Sequence, residues 1–95
     1  MPYTYILRCA DGTYYTGSTW DLDRRIAEHR AGLGSIYTRE RRPVHLEHSV
    51  FHHRMEDAFL LEKRLQGWSR AKKEAFMRGD MGEVQRLAQV RRSGR

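Results

Sequence analysis

The sequence has few of the features that characterise secreted or membrane proteins. Its one cysteine, Cys9, excludes an internal disulfide and fits a reducing cytoplasm. We expect Cys9 to be a buried strand residue rather than a nucleophile. The longest run of aliphatic and aromatic residues, Ala58 to Leu61, is far shorter than the roughly 20 residues that cross a membrane. The first residues also lack a basic stretch followed by an apolar one, so we expect a cytoplasmic protein with no membrane partner.

Motifs of several common functional classes are missing as well. The sequence has neither a phosphate-binding P-loop nor the glycine fingerprint of dinucleotide-binding domains. It has no zinc-type spacing of Cys and His. His45 and His48 lie on a predicted strand, where a separation of three residues points their side chains to opposite faces. The sequence therefore predicts no structural zinc site.

Positive charge is what the chain has in excess. Its 18 Lys and Arg against 12 Asp and Glu give a net charge of +6 and a pI near 10.0. A balance of this kind favours an anionic partner, and we expect nucleic acid. The alternative for each basic side chain is an ordinary solvated surface. The residues that we expect to contact nucleic acid are Arg24, Thr38, Arg39, Arg41, Arg42, Lys72 and Lys73.

The hydrophobic pattern predicts one α/β domain in the 95 residues, built on a small sheet. The turn Ala10-Asp11-Gly12 joins two strands into a hairpin, and Asp21 is a natural N-cap for the helix that follows. Alternation from Val44 to Val50 predicts a third strand with one buried face. The order is β-β-α-β-α-α-α. The predicted elements are strands at 3–9, 13–17 and 44–50, a polar loop at 35–43, and helices at 22–30, about 54–66, 70–78 and after residue 80.

Two tyrosines of the predicted hairpin are candidates for chemistry. An even register across the turn places Tyr5 and Tyr15 diagonally on one face, with backbones roughly 7–8 Å apart, so both hydroxyl groups can reach one site. The alternative is that both are ordinary strand residues whose rings pack and whose hydroxyl groups are hydrated.

The first helix supplies an arginine and a histidine. Arg25 and His29 are four residues apart and project from one face of the helix. The N-terminus of that helix follows Gly17-Ser18-Thr19 and can attract phosphate, which the planar donors of Arg25 also suit. His29 can exchange protons near neutral pH. The alternative is a solvated helix face.

Glu62 is the third element of the candidate site. It borders the apolar stripe of the long helix, which contains Ala58, Leu61 and Leu65, instead of pointing to open water. A carboxylate in that position needs a partner or a metal ion. Magnesium is often held by one or two protein carboxylates together with substrate phosphate, and a salt bridge to a neighbouring Lys or Arg is the alternative.

These residues together resemble the GIY-YIG endonuclease family. Tyr3-Thr4-Tyr5 and Tyr15-Thr16-Gly17 are similar to its paired motifs, and the loop from Tyr37 to Pro43 fits as well. The match runs from Tyr3 to about Met77 and looks most like the small stand-alone bacterial proteins of the family. We therefore expect residues 1–80 to form the nuclease-like domain and residues 81–95 a C-terminal helical extension with a basic tail.

The resemblance implies a three-stranded antiparallel sheet flanked by helices, and cleavage of DNA with one Mg²⁺ or Mn²⁺ ion. It implies that Tyr5 is the general base, helped by His29, and that Tyr15 orients the water or the phosphate. Arg25 would stabilise the charge on the phosphate, and Glu62 would hold the metal. A free tyrosine has a pKa of about 10, so Tyr5 would need a lowered pKa or a route that passes its proton on.

The sequence also departs from the family pattern. Tyr3 replaces the first glycine, and Thr4 and Thr16 replace two isoleucines. The chain contains no asparagine, whereas many members use a late one, so another residue such as Thr38 would fill that structural role. No appended DNA-binding module is visible. We therefore expect cleavage with little sequence preference, on single-stranded, duplex or branched DNA in repair or recombination, with RNA as a possible substrate. The alternative is a non-catalytic nucleic-acid-binding module that retains the fold.

Overall fold

The computed structural model of the chain describes the backbone of residues 1–93 and the side chains of residues 1–89. It confirms the predicted fold class, an antiparallel sheet of three strands flanked by helices. The strands are β1 (Tyr3–Arg8), β2 (Tyr14–Thr19) and β3 (His45–Phe51), and the helices are α1 (Leu22–Arg30), α2 (Ile36–Arg39), α3 (Met55–Gln66), α4 (Arg70–Met77) and α5 (Met81–Ser93).

Strand β1 lies at the centre of the sheet, with β2 and β3 antiparallel on its two sides. Gly12 closes the hairpin turn with a φ of +84°, a left-handed conformation that suits glycine. The pairing sets Tyr5 opposite Gly17 and Leu7 opposite Tyr15. Because directly paired residues share a face, the predicted placement of Tyr5 and Tyr15 on one side of the sheet is confirmed.

The two faces of the sheet are covered by different helices. On the first face, the side chains of Tyr5, Leu7 and Cys9 form the core with Ile26 of α1 and with Val44. Cys9 is 3% exposed, as its prediction as a buried strand residue requires. On the second face, the hydroxyl group of Thr4 donates to the carbonyl oxygen of Ala58 in α3 at 2.7 Å. The sheet therefore separates α1 from α3.

Two local predictions were wrong. The segment 35–43 is not only a loop, because it contains α2, whose N-cap Ser35 accepts a hydrogen bond from the backbone N–H of Thr38. The third strand does not keep one regular buried face. A bulge pairs Ile6 with His48 but Leu7 with Leu46, so the alternation is interrupted and Leu46 is 38% exposed.

The remaining helices follow the predicted pattern. Ala58 and Leu65 of α3 are fully buried, and Trp68, just beyond that helix, packs edge-on against Phe76 of α4 with ring centroids 5.8 Å apart. Ser69 caps α4 as predicted. Asp80 accepts from the N–H of Glu83 at the start of α5. Helix α5 includes much of the predicted basic tail, and residues 94 and 95 lie outside the described residues. The division at residue 80 stays a prediction.

Within residues 1–93, the helices are too short or too polar to cross a bilayer. Leu65 is fully buried between α3 and the sheet, whereas Leu60 on the same helix is 62% exposed. Substitution of each leucine in turn therefore separates the contribution of core packing to stability from that of helix propensity.

We expect Leu65→Ala to lower the free energy of unfolding by about 2–5 kcal/mol, because it leaves a cavity against the sheet. The matched variant Leu60→Ala should change it by less than about 0.5 kcal/mol. Urea unfolding followed by circular dichroism measures both values. Equal losses in the two variants would contradict the packing of α3 described above.

Candidate active site

A buried hydrogen bond between Tyr5 and His29 lies at the centre of the candidate site. The Tyr5 hydroxyl oxygen is 2.8 Å from Nε2 of His29, and the two rings meet edge-on at a centroid distance of 5.7 Å. Tyr5 is 1% exposed and His29 is 0% exposed. Strand β1 positions the tyrosine. Helix α1, which is fixed by its Asp21 cap and by the buried Ile26, positions the histidine.

Two glycines allow both rings to lie where they do. A Cβ atom on Gly17 would be 2.4 Å from the Tyr5 hydroxyl oxygen, and a Cβ atom on Gly34 would be 2.2 Å from Nδ1 of His29. Non-bonded atoms do not approach so closely, so any side chain at either position would displace a ring. Glycine is therefore required here for close approach rather than for backbone freedom.

The second ring nitrogen of His29 is held by α2. Nδ1 of His29 is 2.8 Å from the Thr38 hydroxyl oxygen, and the Thr38 hydroxyl group donates to the carbonyl oxygen of Ser35 at 3.3 Å. Thr38 is 0% exposed. The prediction that Thr38 contacts nucleic acid was therefore wrong, because its side chain is inside the protein. Thr38 instead orients the histidine, in a helix that the sequence did not predict.

The pKa values differ from those expected for a ready tyrosine base. Burial raises the pKa of Tyr5 to about 12, the Arg25 guanidinium opposes this, and electrostatic coupling to Tyr15 and to the Glu62 carboxylate adds to the rise. Burial, with the positive charge of Arg25, lowers the pKa of His29 to about 4, against a smaller opposing effect of Glu28. The expectation that His29 titrates near neutral pH was wrong, because the ring is buried. Of the two routes open to Tyr5, burial disfavours a lowered pKa and leaves the transfer of its proton.

These pKa values leave both Tyr5 and His29 uncharged at neutral pH, so the imidazole carries one ring proton. The contacts are all satisfied when the Thr38 hydroxyl group donates to the Ser35 carbonyl oxygen, Nδ1–H of His29 donates to Thr38, and Nε2 accepts from the Tyr5 hydroxyl group. The resting site is a neutral, ordered chain of donors that runs from Tyr5 to α2.

Tyr15 stands beside this chain in a stack of aromatic groups. Its ring centroid is 5.2 Å from that of His29 and 6.0 Å from that of Tyr37, with which it stacks at an interplanar angle of 29°. The Arg41 guanidinium lies over the Tyr37 ring, 3.7 Å from its centroid, and donates to the Asp11 carboxylate. Arg41 therefore connects α2 with the hairpin turn, which is a structural contact as well as a predicted nucleic-acid contact.

Arg25 points toward the same group of residues from α1. Its guanidinium donates to the Glu28 carboxylate at 3.0 Å and to the carbonyl oxygen of Gly34 at 3.2 Å. Its side chain is 31% exposed, so it is accessible to a ligand. Its effect on the pKa values of Tyr5 and His29 shows that its charge acts at the Tyr5–His29 pair.

Glu62 approaches from the opposite layer of the protein. Its carboxylate accepts hydrogen bonds from the Ser18 hydroxyl group and, at 2.9 Å, from the Gln66 amide, and Lys63 lies 3.9 Å away. Its side chain is 14% exposed. Tyr5 lies over Gly17 and Glu62 contacts Ser18, so the two groups reach neighbouring residues of β2, which is an edge strand. The structure therefore brings Tyr5, Tyr15, Arg25 and His29 together on the first face of the sheet, and Glu62 reaches β2 from the second face at the residue next to Gly17.

The donor set at this edge fits one kind of metal ion. Among the described residues there is no cluster of three or more Asp, Glu, His or Cys side chains, so a metal cage made only by the protein is not present there. Glu62 has further oxygen lone pairs beyond those used by Ser18 and Gln66. A single carboxylate of this kind suits Mg²⁺ or Mn²⁺ that keeps several waters and also binds a substrate phosphate.

The predicted basic contacts are divided between the two layers. Arg24 of α1 is largely exposed and 3.5 Å from Glu28. Arg39, Arg41 and Arg42 lie on or just after α2, on the same side as Tyr5. Lys72 and Lys73 lie on α4, which packs against the second face of the sheet through a contact between Phe76 and His48. The basic residues of α4 are therefore not next to the Tyr5–His29 pair.

Sequence reasoning missed the residues that support the site. Ser18 and Gln66, which hold Glu62, had no visible signal, because serine and glutamine are common on surfaces. Gly34 had a signal, because it follows His29 closely in an otherwise polar segment, but its neighbour Gly32 looks the same in the sequence. Only the fold shows that Gly34 contacts the imidazole ring and that Gly32 has a positive φ of 83°.

We expect the free energy of unfolding to decrease as the pH is lowered through the range in which His29 becomes protonated. The pKa of His29 is about 4 in the folded state against 6.5 for an ordinary histidine, so the unfolded chain binds more protons between these values. The contribution of neutral His29 is complete above about pH 6.5 and is lost as the pH falls toward 4, on the order of 3 kcal/mol in total. Urea unfolding at pH 7 and pH 4.5 measures it.

His29→Gln should remove this part of the pH dependence, because glutamine does not titrate. His45→Gln, which replaces an exposed histidine, is the matched control and should keep the dependence of the parent protein. An unchanged pH dependence in His29→Gln would contradict a neutral, buried His29.

We expect Gly17→Ala and Gly34→Ala to separate Tyr5 from His29, since either Cβ atom must push a ring aside. Each should lower the free energy of unfolding by about 1–3 kcal/mol. Each should also move the pKa of His29, measured by NMR titration, upward toward 6.5 as the ring gains access to water. Gly67→Ala is the control, because its Cβ atom would meet only the Arg64 carbonyl oxygen at 3.6 Å. A His29 pKa unchanged in both site variants would contradict the close approach.

Comparison with known proteins places this geometry in a family. The sequence model of the GIY-YIG catalytic domain matches residues 1–75. A UPF0213 protein of Halobacterium salinarum is 49% identical over 76 residues, which cover 80% of this chain and 99% of that protein. A UPF0213 protein of Bacillus pumilus is 41% identical over 75 residues, which cover 79% of this chain and 76% of that protein.

A solved structure agrees with the sequence matches. The solution NMR structure of a UPF0213 protein from Bacillus halodurans is 44% identical, with a TM-score of 0.53 over 80% of this chain and 82% of that one. Residues 1–75, which match the family model, contain the three-stranded sheet, the Tyr5–His29 pair and Glu62. The chain belongs to the GIY-YIG family and resembles its small UPF0213 members.

Proposed function

We propose that the protein is a metal-dependent endonuclease that hydrolyses DNA phosphodiester bonds with little sequence preference. The observation that supports it most is the Tyr5–His29 hydrogen bond beside Arg25, with the Glu62 carboxylate bound to Ser18, the residue next to the glycine that Tyr5 covers. This arrangement offers a proton acceptor, a cation for the phosphate and a carboxylate for a metal within one small region. Membership of a family named for a catalytic domain agrees with it.

The hydrogen-bond directions suit a proton relay. The Tyr5 oxygen accepts a proton from the attacking water while its own proton moves to Nε2 of His29, and Nδ1–H of His29 remains hydrogen-bonded to Thr38. A free tyrosinate, which a pKa of about 12 disfavours, is then never needed. This is the second of the two routes by which a tyrosine can act as a base near neutral pH.

Substrate binding itself makes His29 a better base. The positive charge of Arg25 lowers the pKa of His29, second only to burial. A phosphodiester bound to the Arg25 guanidinium brings a negative charge that offsets this effect. His29 therefore gains basicity when the scissile phosphate is in place. Arg25 also stabilises the charge that develops on the phosphate in the transition state.

Glu62 is the residue that would hold Mg²⁺ or Mn²⁺, with Ser18 and Gln66 fixing the orientation of its carboxylate. When bound, such an ion neutralises charge on the phosphate and polarises its oxygen atoms. Tyr15, which meets His29 edge-on and stacks on Tyr37, would orient the water or the phosphate.

The test is an incubation of the purified protein with single-stranded, duplex and branched DNA and with RNA, in Mg²⁺, Mn²⁺ or EDTA. We expect cleavage that EDTA abolishes. Tyr5→Phe, which keeps the ring but removes the relay oxygen, and Glu62→Gln, which keeps the shape but removes the charge, should each lower the cleavage rate by about 100-fold or more.

Glu56→Gln on the same helix is the matched control, because Glu56 is 64% exposed at the start of α3 and pairs with Arg54. It should cleave like the parent. Binding without metal-dependent cleavage of any substrate would overturn the enzyme proposal in favour of a nucleic-acid-binding module. Full activity in both Tyr5→Phe and Glu62→Gln would overturn the assignment of the site instead.

A further inference from the structure

Trp20 is an exposed aromatic residue that neither the core nor the proposed relay uses. It follows β2 directly and is 62% exposed. Within the described residues, its indole ring has no aromatic or cationic partner. The second tryptophan, Trp68, differs on both counts, since it packs on Phe76 and lies under the Lys72 ammonium group. A single exposed apolar residue is common in proteins, so its surroundings have to decide its role.

The surroundings of Trp20 connect it with the candidate active site. A cleft of about 460 Å³ is lined by Trp20 and by Arg25, together with Thr19, Asp21, Arg24 and Glu28. Arg25 is the cation that acts on the Tyr5–His29 pair. A phosphate bound at Arg25 is therefore in a cleft that Trp20 also lines.

The backbone holds Trp20 in a fixed position. The Thr19 hydroxyl group donates to the Asp21 carbonyl oxygen and accepts from the Asp21 N–H, both at 3.2 Å, so the two residues bracket Trp20. The Asp21 side chain caps α1. The ring thus projects from a rigid strand-to-helix turn, and little backbone entropy is lost when a ligand packs against it.

Trp20 lines a second cleft as well, and the two clefts differ in their cations. The first contains the guanidinium groups of Arg24 and Arg25, both of which pair with the Glu28 carboxylate. The second, of about 390 Å³, contains the carboxylates of Asp21 and Asp23 and the N-terminal ammonium group, which donates to the Trp20 carbonyl oxygen. Because guanidinium groups bind phosphate in a planar, two-pronged geometry, we expect a polyanion to lie in the first cleft, with a base against the indole ring and the adjoining phosphate at the arginines.

Resting on the proposed function of this site, we propose that Trp20 is a stacking platform for an unpaired base next to the scissile phosphate. Stacking on an aromatic ring accepts any base, in agreement with cleavage that has little sequence preference. It requires a base whose face is accessible, and the bases of an intact duplex are covered by their neighbours. The site is therefore selective for single-stranded segments over continuous duplex.

The experiment measures binding in EDTA, so it does not depend on cleavage. In the Trp68→Phe protein, the fluorescence reports Trp20 alone. A short oligothymidylate should quench this fluorescence, whereas linear duplex of plasmid length, at equal nucleotide concentration, should not. Trp20→Ala should weaken binding of the oligothymidylate by about 5- to 150-fold, which corresponds to the loss of one stacked base. Trp20→Phe should stay within about 5-fold of the parent.

Phe59→Ala is the matched control, because Phe59 is also an exposed ring, at 48%, but lies on α3 away from the cleft. It should bind the oligothymidylate like the parent. Equal quenching by duplex and oligothymidylate, or unchanged affinity in Trp20→Ala, would overturn the proposal. Quenching that is specific for the single strand, in a protein that cleaves no substrate with Mg²⁺ or Mn²⁺, would support the stacking role while overturning the nuclease proposal.

Discussion

The hydrogen bond between Tyr5 and His29 is the contact on which the arrangement of this protein depends. It joins the central strand to the first helix, and both side chains are almost completely buried. Buried polar groups are costly unless they are paired, so this contact requires a complete set of partners. Thr38 supplies the partner for the second ring nitrogen, and Gly17 and Gly34 provide the space for the two rings. Helix α2 lies next to α1, and its Thr38 completes this set of hydrogen-bond partners.

The same burial determines which groups of the site are charged. A histidine with a pKa near 4 and a tyrosine with a pKa near 12 are both neutral at physiological pH. The charges of the site lie at its border, on Arg25 toward the solvent and on Glu62 in the other layer. Phosphate and metal would add charges at that border, and their electrostatic effects act on the neutral pair. The proposed chemistry therefore depends on the charges of the bound phosphate and metal as much as on the protein without them.

Much of the fold was predictable because local signals agreed with the tertiary structure. The hairpin turn, the Asp21 cap and the buried positions of Ala58 and Leu65 all follow from turn chemistry and from helical spacing. The errors arose where local signals were overridden. The bulge in β3 changes the face to which Leu46 points, and no residue type in that strand indicates a bulge. Helix α2 is a single turn, too short for periodicity to reveal, and its Ser35 cap is hidden among other polar residues.

The candidate site divides along the same line. The sequence by itself determined which residue types are present and that Tyr5 with Tyr15, and Arg25 with His29, share a face, because strand and helix periodicity operate over a few residues. Only the tertiary structure decided that these two pairs meet, and that Glu62 reaches the same strand edge from the opposite layer. It also decided that Thr38 orients His29, and that burial moves both pKa values away from neutrality. These properties arise from contacts between residues far apart in the chain and from exclusion of water, and neither is a property of any local segment.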